Sequence, residues 1–383
     1  MKVVLAIDSF KGCLSSSEAE EAAAGAFRME DEVISLPVSD GGEGFSAALT
    51  SAVGGERVTA QVHDPLGRPM TASFGLAFDG QVAIIETAAA SGLALVPQER
   101  RDPLHATSYG TGELISAALD EGVSEIWLGL GGSATCDGGT GLLQALGYRF
   151  FTPAGQLEDG RAVLGDITCI DPSRRHQGLS RCSFTGFYDV DVPFCGAGGS
   201  AQVFAPQKGA GPEMVAVLDD WMSRLCYIYS EYSGKDILHS PGSGAAGGVG
   251  GAMCAFLHPQ MRRGIEEVLS LSAFQEKIKG ASLVITGEGR SDSQTLKGKV
   301  PQGVLEAVRL SVSKKDSSIP VLLMSGRIDD REALLREGFY DTLEITPFDT
   351  PEKDILDSCL AKANIAQALG RWLHSHDKYI SGE

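Results

Sequence analysis

Val3-Val-Leu-Ala-Ile-Asp-Ser-Phe-Lys-Gly12 opens with an unbroken apolar run that stops at Asp8 and passes into a charged, glycine-bearing segment. A continuous run differs from the in–out alternation of a half-exposed strand. It reads as a strand covered on both faces, the condition of a parallel sheet flanked by helices. Four further runs have the same character, at residues 33–38, 283–286, 321–324 and 342–345. Helical patterns lie between or after them, at residues 16–27, 304–313, 331–337 and 354–373. The first of these carries Ser15 or Ser16 as its N-cap and glutamates in its early turns. Strands alternating with helices predict an α/β fold, a doubly wound parallel sheet of flavodoxin-like type.

The second and third runs are more than 240 residues apart, so the sheet is built from both chain ends around an insertion. We expect residues 1–58 and 276–383 to form the discontinuous flavodoxin-like domain, and residues 59–275 a mixed α/β domain. The insertion begins with alternating strands at 57–62, 71–78 and 81–86, joined by Asp64-Pro-Leu-Gly67 and Asp79-Gly80, a small antiparallel meander. A helix (112–120), a strand (125–130), a helix (139–146) and a strand (184–188) follow, then helices at 213–229 and 244–256. The last ten residues read as a tail.

The 383 residues carry 32 Lys and Arg against 50 Asp and Glu, a net charge of −18. Such a field opposes nucleic-acid binding and attachment to anionic membranes, so an anionic substrate must be held by a few local cations and N–H groups. No apolar run approaches a membrane span or a signal-peptide core. The eight cysteines never form C-x-x-C, which fits buried thiols in a cytoplasmic protein. The histidines lack metal-ligand spacing and no G-x-S-x-G elbow occurs, which sets aside His-ligated metal sites and serine hydrolases. The oligomeric state is left open, a homo-oligomer included.

Glycine is the compositional anomaly, at 48 residues. Segments 41–44, 129–141, 196–211, 242–251 and 287–289 hold 22 of them. Glycine clusters near strand ends suit close approach of backbone to a ligand. Residues 129–141 leave a strand and enter a helix, with Ser133 and Thr135 as hydroxyl donors, and are the better phosphate cradle. Residues 242–251 contain G-x-G-x-x-G without a preceding strand, so close helix packing competes evenly there. Neither is a Walker A loop.

Ligands of a doubly wound sheet lie beyond the carboxyl ends of its strands. Three of those ends carry Asp8 and Lys11, then Asp40 and Glu43, then Glu288, Arg290 and Asp292. Carboxylates beside a lysine and an arginine suit phosphoryl transfer, with Mg²⁺ on carboxylates and one carboxylate accepting a hydroxyl proton. The insertion adds Asp189 and Asp191 after a strand, and Lys208 in a loop.

These residues resemble the bacterial type-1 glycerate kinases through nearly the whole chain. The resemblance rests on Asp8-Ser-Phe-Lys-Gly12, Pro37-Val-Ser-Asp-Gly-Gly-Glu-Gly44, Ser108-Tyr-Gly-Thr-Gly-Glu-Leu-Ile115 and Gly131-Gly-Ser-Ala-Thr135 with Asp137-Gly-Gly139. It continues through Pro206-Gln-Lys-Gly-Ala210, Gly242-Ser-Gly-Ala-Ala-Gly-Gly248 and Ile285-Thr-Gly-Glu-Gly-Arg290. It implies ATP-dependent phosphorylation of D-glycerate at the 2-hydroxyl, with Mg²⁺, in a cleft between two α/β domains. Two domains that each supply part of a site should also close on ligand to exclude water. On chemical grounds Asp8, Lys11, Asp189, Lys208 and Arg290 are the candidate catalytic residues, with Asp8 or Asp189 as base. Asp40, Glu43, Glu288 and Asp292 are the candidate metal ligands. Gly131, Gly132, Ser133, Thr135, Asp137, Gly244, Gly247 and Gly248 are the candidate nucleotide cradle.

The chain departs from the family pattern at Phe45, Cys136 and Val192, where threonine, asparagine and asparagine are usual. Two other readings stay open. One is a dinucleotide-dependent oxidoreductase, from the G-x-G-x-x-A spacing of residues 129–134. The other is a catalytically weak ligand-binding protein on the same scaffold.

Overall fold

The structure, a computed structural model, describes residues 1–160, 165, 167–292, 295–311, 319–351 and 354–380. They form two compact units, Met1–Asp40 with Gly264–Glu383, and Gly41–Arg263.

The first unit is a five-stranded, wholly parallel sheet. Its strands run in space as Asp341–Glu344, Val321–Ile328, Leu283–Ser291, Lys2–Ile7, Glu32–Ser35. Counted within the unit this is the order 2-1-3-4-5 of flavodoxin-like sheets, with the reversal between the first and third strands. Val3, Leu5, Ile7, Leu283, Ile285, Leu322 and Met324 are buried against Ile365, Leu369 and Trp372 of the helix Ser358–Ile380. On the helix Ser16–Ala24, Ser15 accepts from the Glu18 amide and Glu18 reaches back to Ser15, a complete capping box.

Several boundaries move. The first helix ends at Ala24 with Gly25 as its cap, short of residue 27. The third strand runs on through Gly-Glu-Gly-Arg-Ser to Ser291, because Val321–Ile328 continues to pair with it. Glu288 and Arg290 therefore stand on the strand, not beyond its end. The C-terminal helix starts at Ser358 and takes in most of the expected tail. Residues 312–313 of one expected helix, and 381–383, lie outside the described residues. The sequence placed the chain crossings near 58 and 275; the units divide at 40/41 and 263/264. Helix Phe45–Ala52 goes with the second unit because Phe45 is buried there, its ring 5.0 Å from Phe187. Ile265 stays with the first, packed where Gly303 lacks a side chain.

Glu20, on the first helix, is buried beneath the sheet and its Oε1 accepts from the Ile7 amide at 3.2 Å. Burial is the main cause that raises its pKa to about 9, so the side chain is a neutral acid at pH 7. The folded state then binds more protons than the unfolded state between the ordinary glutamate pKa and about 9, and stability falls as pH rises through that window. Glu20→Gln, neutral at every pH, should flatten that decline. The expected readout is a melting temperature that loses a few degrees less than wild type between pH 5 and pH 9. Equal slopes would mean the carboxyl ionises as it does in the unfolded chain.

The second unit has a six-stranded mixed sheet ordered Gln260–Arg263, Ser183–Tyr188, Glu125–Gly129, Val82–Glu86, Pro69–Ala77, Glu56–His63. The last two strands are antiparallel, as the meander predicted, and the other four are mutually parallel. Glycine-rich helix Ala245–Phe256 and the long helix Pro212–Ser233 share one core with it, through Met222, Leu225, Tyr229 and Val249. A three-stranded sheet near residues 149–171 was not anticipated. Among the described residues no helix is long and apolar enough to cross a membrane.

Candidate active site

In the first unit, the ends of three strands surround a cavity of about 330 Å³ that includes Asp8, Ser9, Lys11, Glu288, Arg290 and Lys299. Asp8 follows directly on the strand Lys2–Ile7 and is 5% exposed, its Oδ1 accepting from the Ser9 amide at 2.7 Å. Burial, and then the charge of buried Asp40, hold its pKa well above the usual carboxylate range, against a smaller opposing pull from Lys11. A buried carboxyl with a raised pKa, set in a cavity, is suited to take a proton at neutral pH.

Glu288 is held by protein groups that the sequence did not single out. Its Oε1 accepts from Ser291 Oγ (3.0 Å) and Thr295 Oγ1 (2.6 Å), and its Oε2 pairs with Lys299 Nζ at 3.2 Å. Both oxygens are engaged by the protein, so Glu288 positions Lys299 in the cavity wall. Arg290 pairs with Asp329 at 2.6 Å. Asp292 is half-buried at the strand end, its amide donating to Thr295 Oγ1. Lys299 and Thr295 were missed from the sequence; the signal was Lys297-Gly-Lys299 between a strand end and the next helix. Among the described residues no three His, Cys, Asp or Glu side chains gather as a metal-ligand group.

In the second unit the glycine segments turn out to face one another. A Cβ on Gly131 would lie 2.5 Å from Gly42 Cα, and one on Gly248 2.7 Å from Gly138 Cα. A Cβ on Gly247 would overlap the Thr135 carbonyl oxygen, and one on Gly244 the carbonyl of Pro193. The Gly247 carbonyl accepts from the Gly138 amide at 2.9 Å. Gly132, at φ +66°, turns the chain beside Ala88. For Gly244, Gly247 and Gly248, close packing of protein on protein is what glycine supplies, which corrects the expected open cradle.

Asp137 likewise serves the loop. It accepts from the Ser108 amide and hydroxyl (2.7 Å each) and from the amides of Gly139 (3.1 Å) and Gly141 (3.3 Å). These bonds hold the entry to helix Thr140–Ala145. Ten residues separate the strand ending at Gly129 from that helix, too many for the tight turn of a dinucleotide fingerprint. Lys208 is not the exposed loop lysine that its setting allowed. It is 3% exposed, its Nζ donating to Ser133 Oγ (3.1 Å) and the Thr135 carbonyl (2.6 Å). Burial lowers its pKa, while nearby Cys136 and Asp137 partly restore it. The Thr135 hydroxyl is buried with no hydrogen-bond partner among the described residues. A buried ammonium on two neutral acceptors, next to an orphaned hydroxyl, is a loop equipped to hold an anion.

Asp189 follows strand Ser183–Tyr188, half-buried, and Glu43 is exposed beside a second cavity in this unit with Ser46, Arg57 and Glu86. Phe45 and Cys136, two of the departures, are both fully buried in packing, and Val192 offers its carbonyl to the Gly244 amide at 3.0 Å. Burial suits the apolar side chains of Phe45 and Cys136, whereas the Val192 contact is made by backbone and does not explain its side chain.

The glycerate kinase family model matches residues 3–373. The chain belongs to the glycerate kinase family. It is 41% identical to glycerate kinase from Bacillus subtilis (strain 168), over 93% of each chain. It is also 41% identical to glycerate 2-kinase from Escherichia coli (strain K12), over 96% of this chain and 98% of that one. A crystal structure from Salmonella typhimurium LT2, titled provisionally as glycerate kinase 2, superposes with a TM-score of 0.75 at 38% identity, covering 98% of both chains. Family membership makes the chain an enzyme of the glycerate kinase kind and sets the oxidoreductase reading aside.

Proposed function

We propose that the protein transfers a phosphoryl group from ATP to the 2-hydroxyl of D-glycerate. The observation that carries the reading is the buried, proton-hungry Asp8 beside Asp40 and Lys11 in a strand-end cavity of the first unit. Asp8 accepts the hydroxyl proton as the oxygen attacks; we prefer it to Asp189 because its burial and repulsion from Asp40 raise its basicity. Lys11 offsets charge on the transferring phosphate. Asp40, a buried carboxylate beside Asp8, would hold Mg²⁺, which supplies charge neutralisation on phosphate oxygens when bound, leaving Asp8 as the base. Ser133, Thr135 and Lys208 hold an anionic group of a substrate. The proposal is of a cytoplasmic enzyme.

A coupled assay with D-glycerate and Mg-ATP tests the activity, and phosphorus NMR of the product distinguishes 2- from 3-phosphoglycerate. No turnover on glycerate or related hydroxy acids would refute it. Lys208→Met removes the buried cation at similar volume. We expect kcat/KM to fall about 100-fold or more, with the melting temperature held or raised because a lone buried charge has gone. A collapsed melting temperature would make Lys208 a structural strut instead.

A further inference from the structure

The strand-end cavity of the first unit has two kinds of wall. One is charged, with four cations, Lys11, Arg290, Lys299 and Arg327, outnumbering the carboxylates Asp8 and Glu288. The other is apolar: Cys13, Ile345, Ile355, Leu356 and Ala361. Leu356 is 60% exposed and Ile355 37%, so large apolar side chains are left in water around the cavity. Glycerate carries oxygen on each of its three carbons and gains nothing from such a wall. At about 330 Å³ the cavity also falls in the size range of pockets for much larger ligands, ~300–1,000 Å³.

The cations are arranged for more than internal pairing. Arg290 and Arg327 stand opposite each other in register on neighbouring parallel strands. Arg290 is neutralised by Asp329 and Lys299 by Glu288. The Arg327 side chain makes no hydrogen bond or ion pair among the described residues, and its charge borders the cavity. An apolar surface next to cations is the complement of a molecule with a flat aromatic base at one end and phosphates at the other.

We infer that this cavity is the adenine-nucleotide subsite, with the base against Ile345, Ile355 and Leu356 and the phosphates among Lys11, Lys299 and Arg327. The anion-holding loop of the second unit, Ser133 to Thr135 with Lys208, is then left for glycerate. This division rests on reading the protein as an ATP-dependent kinase, and it reverses the allocation that the glycine pattern suggested. It also explains why the glycines at 244–248 are spent on packing: the nucleotide is bound elsewhere.

Calorimetric titration with ADP, which needs no turnover, tests the assignment on wild type, Leu356→Glu and Lys208→Met. Leu356 is exposed, so its replacement leaves folding intact while placing an anion where the base would sit. The expected result is a Kd for ADP raised tenfold or more by Leu356→Glu and changed less than twofold by Lys208→Met. If Lys208→Met does not fold, Ser133→Ala takes its place. Weakened ADP binding in the loop variant with none in Leu356→Glu, equal effects in both, or no binding to wild type would overturn the assignment. Tight ADP binding that follows the expected pattern, without phosphorylation of glycerate, would leave the subsite standing and remove the kinase reading.

Discussion

Asp8→Asn should lower kcat by about 10²–10⁴-fold, the usual worth of a positioned base, and raise the melting temperature by a few degrees at neutral pH. The two effects have opposite signs for one reason. The wild-type carboxyl is buried and faces the charge of Asp40, so its folded pKa lies well above its unfolded value. Such a group gives stability that is full below the unfolded pKa and lost as pH rises through the folded one. At pH 7 to 8, well above the unfolded pKa, burying Asp8 is therefore a net burden on the fold, kept for its chemistry. Asparagine keeps an oxygen for the Ser9 amide and removes both the burden and the base. The stability gain should shrink towards pH 4, where the wild-type side chain is protonated. Steady-state kinetics and thermal melts from pH 4 to pH 8 check both halves. An unchanged kcat would move the base to Asp189, and a lower melting temperature would show that Asp8 is structural.

The same residues show how far the sequence could be read. Continuous apolar runs such as 3–7 and 321–324 are a local signal, because a strand covered on both faces must be apolar at every position. They were sufficient for the doubly wound sheet and its assembly from both chain ends. Asp8 and Lys11 could be singled out because that fold directs strand ends to its ligand, and both line the strand-end cavity. Glu288 was found as a residue but its protein partners were not, since Thr295 and Lys299, the groups that engage it, lie beyond a turn.

Lys208 was the harder case. Its burial depends on a short 3-10 turn, Pro206–Lys208, ended by Gly209 at φ +99°, that seats it beneath residues 133–135 from more than seventy positions away. Nothing in Gln-Lys-Gly distinguishes that from an exposed loop. Glycine density was informative about close approach but silent on what approaches. The structure supplies backbone as the partner at Gly131, Gly247 and Gly248, because two chain segments at van der Waals contact leave no room for Cβ atoms.

That reading of glycine makes Gly247→Ala the substitution with the largest expected cost to stability. Gly247 sits at φ +69°, a conformation that costs an alanine roughly 1–2 kcal/mol. Its added Cβ would also overlap the Thr135 carbonyl oxygen, a backbone atom that cannot rotate away. Overpacking a closed contact adds about 1–3 kcal/mol or more, so a total of about 4 kcal/mol is expected in denaturant unfolding. Gly234→Ala separates the two contributions: Gly234 has φ +66° with nothing within 4 Å of a Cβ, and should lose the conformational part alone. Activity should fall with stability only for Gly247→Ala. The carbonyl it displaces is the one that accepts from Lys208 at 2.6 Å, so relaxing the clash moves the buried ammonium and the hydroxyls of the anion-holding loop. The expected kinetic signature is a raised KM for glycerate at temperatures where the variant is fully folded. Equal stability losses at positions 234 and 247, with KM unchanged, would show that the two glycine segments yield to each other freely and that the loop does not depend on their contact.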